Sequence, residues 1–158
     1  MSSVFWTPSA PSVRWMNNST FEEQLATHGQ LVYTNVGNSM MPLIRHHRDL
    51  LIIRPRPEGR LRKYDIAFYR RGDKYILHRV MQVKKDSYTM CGDHQYRREF
   101  GVREEQILGV LTGIQRDGVD VPLHGFRYGC YVRLWCWFFP IRAGILCVRA
   151  HLHRRRSS

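Results

Sequence analysis

No acidic residue occurs in the last 32 positions of this chain, which carry seven arginines. Of the net charge of +12, that leaves only +5 for the first 126 residues. Such asymmetry marks a basic tail that meets an anionic partner, either phospholipid or nucleic acid. Cysteine is scarce: Cys91 lies in the body, and Cys130, Cys136 and Cys147 in the tail. None stands in a CxxC or Cys/His spacing, which argues against a disulfide framework or a zinc site and makes reduced thiols the default. Met1 to Trp15 is rich in Ser and Pro, with a single Arg. It lacks the charged start and apolar run of a secretory signal. Internal repeats, a helix-turn-helix pattern and an aromatic-and-glycine RNA-binding signature are absent too, so no specific nucleic-acid partner is expected.

With 43% apolar and 24% charged residues over 158 positions, the chain suits one globular domain plus appendages. The expected division is a flexible extension over 1–17, a main domain over 18–126 and a basic, aromatic, amphipathic helical tail over 127–158. A short helix is predicted from Thr20 to about His28. Thr20 and Glu23 form a capping-box pair there, and Gly29 stops it. β-like runs follow at Leu31–Val36, Leu50–Arg54, Asp65–Tyr69, Tyr75–Val83, Tyr88–Cys91 and Ile107–Gln115. Turn signals separate them, notably Arg71-Gly72-Asp73-Lys74 and Lys84-Lys85-Asp86-Ser87. Short strands joined by hairpins predict a mainly β fold, a curled antiparallel sheet or small barrel.

In the tail, Pro140 interrupts an aromatic run, and Ile141, Ile145, Val148 and Leu152 then recur at helical spacing. Arg133 and Arg142 fall inside the candidate span, and each central Arg costs about 2.5–3.5 kcal/mol on insertion. A broken amphipathic helix is expected, either lying in an anionic membrane interface with Trp135, Trp137, Phe138 and Phe139, or packing on the domain. The expected location is cytoplasmic or peripheral to a membrane.

The chemistry centres on Val36-Gly37-Asn38-Ser39-Met40-Met41-Pro42. Gly37 can take positive φ after a strand, and Pro42 suits the first turn of a helix. Ser39 would then sit where free backbone N–H groups gather around a developing oxyanion. An ordinary Ser/Asn turn has the same composition. In a strand over Tyr75–Val83, Ile76, His78 and Val80 share one face, and Arg79 points the other way, to solvent. His78 reads either as a core histidine bonded to a carbonyl or as a general base for Ser39.

Gly37-Asn38-Ser39-Met40-Met41-Pro42 resembles the G-x-S-M-x-P box of type I signal peptidases and the related LexA-type self-cleaving repressors. Arg48-Asp49-Leu50-Leu51, Lys63-Tyr64-Asp65-Ile66-Ala67-Phe68, Ile76-Leu77-His78-Arg79-Val80 and Gly92-Asp93 follow in the family's order, over about residues 30–115. Bacterial members use a lysine base. His78 at that place is similar to the endoplasmic-reticulum and archaeal-type enzymes, which pair Ser with His and an acidic helper.

The resemblance implies a serine endopeptidase with Ser39 and His78 catalytic and no metal or cofactor. It implies a precursor or leader peptide as substrate, with small residues at the cut. Asp93 matches the first downstream acid; Glu99 falls near the second, as Glu in place of Asp. The third-member role stays divided between them, although Asp93 could equally be a turn former and Glu99 a surface charge. Gly37 replaces a Ser found in many signal peptidases, so the oxyanion hole would rest on backbone N–H groups of Gly37, Asn38 and chiefly Ser39. Asp49 is expected to stabilise the fold near Ser39. No membrane anchor precedes the serine box, and about 30 residues cannot hold a repressor's DNA-binding domain. The competing class is a non-catalytic basic module on the same fold that binds membrane or nucleic acid.

Overall fold

The computed structural model describes residues 20–34 and 37–156, the last seven by backbone alone. The expected extension over 1–17, together with Val36, Leu152 and the Arg154–Arg156 side chains, lies outside what is described. Helix α1 (Phe21–His28) begins where the capping box places it, with the Thr20 hydroxyl accepting from Glu23 N–H and the Glu23 carboxylate accepting from Thr20 N–H. Such a cap contributes about 1 kcal/mol. Gly29 ends the helix at φ 65°, a conformation that costs glycine nothing. Phe21 and Leu25 face inward against Tyr33, Phe68 and Tyr75.

Eight strands follow: β1 (Leu31–Thr34), β2 (Asp49–Pro55), β3 (Ile66–Arg71), β4 (Lys74–Val83), β5 (Tyr88–Cys91), β6 (Glu99–Val102), β7 (Ile107–Arg116) and β8 (Val119–Val121). They form one antiparallel sheet in the order β1-β2-β7-β3-β4-β5-β6, with β8 on β7. Register shifts interrupt four of the pairings, β2–β7, β3–β7, β4–β5 and β5–β6. Such bulges add twist, and the sheet curls into a half-barrel. This is the mainly β, curled antiparallel architecture expected from the hairpin pattern, with two strands beyond those expected, β6 and β8.

The curl gives the sheet two apolar clusters. Leu25, Leu31, Met40, Ile44, Leu51, Ile53, Phe68 and Leu77 belong to one; Ala67, Tyr69, Val80, Tyr88 and Met90 belong to the other. Alternation along β3 puts Phe68 in the first and Ala67 and Tyr69 in the second, as period-2 geometry requires.

After β8 the chain turns helical, as α2 (Gly125–Trp137) and α3 (Phe139–Arg156). The break falls at Phe138, not at Pro140 as expected. Pro140 is the second residue of α3, in the first turn, where a missing N–H costs no hydrogen bond. Among the described residues no single helix is long and apolar enough to cross a membrane; α2 and the Phe139–Arg149 part of α3 together reach that length but bend by 58°.

Candidate active site

Ser39 and His78 line the same cavity, of about 410 Å³, together with Gly37, Tyr33, Arg71 and Gln95. The serine loop reaches it by a route other than the expected one. No helix follows Ser39. Residues 39–43 form turns closed by Met41 N–H to Asn38 O (3.2 Å) and Ile44 N–H to Met40 O (3.0 Å), and the Met41–Pro42 peptide is cis. Gly37 is not in the positive-φ region. These turns leave the Ser39 N–H without a backbone acceptor among the described residues. Asn38 is exposed and serves the turn through its carbonyl.

Two anchors hold the loop. Buried Asp49 accepts Arg45 N–H at 2.8 Å and both Arg116 Nε and Nη2 at 2.8 and 2.7 Å, tying the loop base to β7. Nearer the serine, His94 N–H donates to Ser39 O at 2.7 Å. The neighbouring Gly92 lies so close that a Cβ there would sit 2.5 Å from the same carbonyl oxygen. The Gly92-Asp93 turn thus has a physical reason for its glycine: it is the seat on which the serine backbone rests.

His78 is 6% exposed, on the cavity wall from β4. Among the described residues no hydrogen bond joins it to the Ser39 hydroxyl. Its Nδ1 lies 3.1 Å from the Tyr69 hydroxyl, which in turn donates to Glu99 Oε2 at 2.7 Å. A phenol has one proton, and here it is donated in the hydrogen bond to the carboxylate. The Tyr69 oxygen is then an acceptor toward the ring, so the neutral imidazole carries its proton on Nδ1 and leaves the Nε2 lone pair free. Arg71 Nη1 also donates to Glu99 Oε2, at 2.9 Å.

Burial pushes the His78 pKa from 6.5 down to about 4; the Glu99 charge pulls it back up in part, and Arg71 pushes it further down. Burial raises the Tyr69 pKa most, and the bond to Glu99 adds to it, so the phenol keeps its proton.

Asp93 is placed differently from Glu99. It is 2% exposed and bound in bidentate fashion by Arg79, with Nε to Oδ1 at 2.8 Å and Nη2 to Oδ2 at 2.7 Å. Arg79, expected in solvent, is fully buried; Nη1 also donates to Tyr64 O and to the Tyr128 hydroxyl of α2. The helical tail covers that face of β4, which a strand pattern alone cannot reveal. Burial works against the Arg79 charge and the Asp93 bonds outweigh it, so its pKa is raised. The two downstream acids therefore occupy different places. Glu99 reaches the imidazole through Tyr69, and Asp93 locks the turn beneath Ser39.

Tyr69, Arg71 and Gln95 are site residues that sequence reasoning missed. Among the described residues no group of three or more His, Cys, Asp or Glu side chains could hold a metal ion, and His46 and His47 are exposed. Between β2 and β3, Arg56 and Arg60 pair with Glu104. Compared with known proteins, the chain matches no protein-family model, no curated protein and no solved structure.

Proposed function

We propose that this chain is a serine endopeptidase of signal-peptidase-like type, cleaving a precursor or leader peptide with His78 as general base for Ser39. The observation that carries the reading is that a serine and a histidine, 39 positions apart in sequence, line one cavity, with the histidine's tautomer set by its other contacts. In the reaction, Nε2 takes the Ser39 proton as Oγ adds to the scissile carbonyl carbon. The Ser39 N–H faces the resulting oxyanion. Collapse of that adduct breaks the C–N bond as Nε2–H protonates the departing amine, and water repeats the sequence on the acyl-enzyme. Tyr69 and Glu99 act through the ring: they hold the tautomer and stabilise the imidazolium as it forms. Glu99 is thereby the third member, with Tyr69 interposed.

The reading is tested by incubating the purified chain with a proteome-derived peptide library, in EDTA, across a pH series, with cut sites read by mass spectrometry. Cuts at neutral pH that persist in EDTA are expected; an unchanged library sinks the proposal. The acid limb is specific to this site. A base held at a pKa of about 4 stays neutral well below pH 6, so kcat/KM should fall with a midpoint near 4 and not near 6.5. Stability follows the same group. Because the folded pKa is depressed below that of the unfolded imidazole, His78's contribution is fully present above about pH 6.5 and is lost as pH falls from there toward 4. A limb centred at 6.5 would mean a solvated imidazole in the working enzyme.

Tyr69→Phe is the test of the interposed phenol. Without an acceptor for Nδ1–H the ring can place its proton on Nε2, the wrong nitrogen for a base. A kcat loss of roughly 10–100-fold with KM little changed is expected. An unchanged kcat would remove Tyr69 and Glu99 from the mechanism.

A further inference from the structure

Helices α2 and α3 have two unlike sides. On the inner side Val132 and Phe139 are buried, the Trp135 indole donates to Asp93 O at 3.2 Å, and Tyr128 accepts from Arg79. Arg142 lies on this side as well, 4.4 Å from the Trp135 ring and donating to Trp135 O. The outer side carries Leu134, Trp137, Phe138, Ile141, Ile145 and Val148, each between 46% and 74% exposed. Their spacing of three and four residues runs unbroken across the 58° bend, making one stripe over two helices. Exposed Arg133 and Arg149 stand beside it, within a segment of seven arginines and no acid.

A contiguous exposed apolar face of this extent marks an interaction surface. We infer that it docks flat on an anionic phospholipid bilayer, with the stripe at the headgroup–acyl boundary and the arginines on the lipid phosphates. Charge decides between occupants. A second copy laid on the same face would bring two acid-free cationic segments together, whereas an anionic surface neutralises them. Nucleic acid would engage the arginines and leave six apolar side chains in water. Trp137 and Phe138, edge to face at 5.0 Å, sit at the bend on the outer side, and an amphipathic indole favours the membrane–water boundary. The inner side grips the Gly92-Asp93-His94 turn that seats Ser39, so docking would hold the cavity close to the bilayer. That last consequence rests on the peptidase reading; the docking does not.

The test is flotation of the full chain with vesicles of phosphatidylglycerol and phosphatidylcholine in equal parts, against vesicles of phosphatidylcholine alone. Binding at least about tenfold tighter to the anionic vesicles is expected, weakened by salt. Ile141→Asp/Ile145→Asp should reduce that binding about tenfold or more, with thermal unfolding and cleavage of a soluble peptide unchanged because neither side chain is buried or near the cavity. Equal binding by the double variant, equal binding to phosphatidylcholine alone, a stable dimer in light scattering that excludes vesicles, or tighter binding to duplex DNA at the same salt would each overturn the inference. Since the variant leaves the cavity intact, lost docking and lost cleavage are separable results.

Discussion

Ser39→Ala should lower kcat for peptide cleavage by on the order of 10⁴-fold or more, equivalent to about 5 kcal/mol of transition-state stabilisation. The substitution removes the oxygen proposed to form the acyl-enzyme and leaves in place the carbonyl that accepts His94 N–H. Thermal unfolding should therefore be unchanged, which separates loss of chemistry from loss of fold. His78→Ala should cost a similar factor, because a serine hydroxyl without a base is a poor nucleophile. The double variant should be hardly worse than either single one, since the pair acts as a unit and the second deletion finds nothing left to remove. Additive losses would mean that the two side chains act separately. Cleavage by Ser39→Ala at the wild-type rate would assign the activity to some other group.

Much of the fold around the candidate site was readable from the sequence, and the rest was hidden for identifiable reasons. All the strands between Leu31 and Arg116 except β6 follow from alternation and turn residues, and the capping box placed the start of α1. The Arg71-Gly72-Asp73-Lys74 turn even sets the hairpin register, pairing Ala67 with His78 and leaving Tyr69 on the diagonal. The interposed phenol was thus latent in the turn length, although a diagonal neighbour is not a motif. Strand β6 escaped notice because Arg97, Arg98 and Glu99 read as a charged loop, and a positive φ at Gly101 interrupts its pattern. Strand β8 had a signal: Asp117-Gly118, both at positive φ, is a two-residue hairpin turn joining Arg116 to Val119. The error at Arg79 was of another kind. A charged residue beside His78 on a strand points to the opposite face, and that face would be wet if α2 did not cover it. The helix expected after Ser39 failed because a glycine and a proline fit a turn as well as a helix start.

Asp93→Ala should destabilise the fold by about 3–5 kcal/mol, the usual consequence of stranding one member of a buried ion pair. For a chain of this size that corresponds to a melting temperature lower by roughly 6–20 °C, a large part of the margin of an ordinary domain. The reason lies in the partner. With Asp93 gone, Arg79 keeps its charge at zero exposure with only the Tyr64 carbonyl and the Tyr128 hydroxyl to receive it. Asp93→Asn should lose nearly as much, because shape is retained but the compensating charge is not. Replacing both partners, as Arg79→Met with Asp93→Leu, should recover part of the loss, as apolar substitution of a buried pair commonly does. Chemical denaturation of the wild type, Arg79→Met, Asp93→Leu and the double variant gives the coupling energy, and a loss below about 1 kcal/mol in Asp93→Ala would show the pair to be solvated in solution. Cleavage should register the damage too. The turn that carries Asp93 accepts Trp135 on one side and holds the Ser39 carbonyl on the other. On the proposed mechanism, loosening it should shift Ser39 relative to His78, so peptidase activity should drop in Asp93→Ala at temperatures where the protein is still folded.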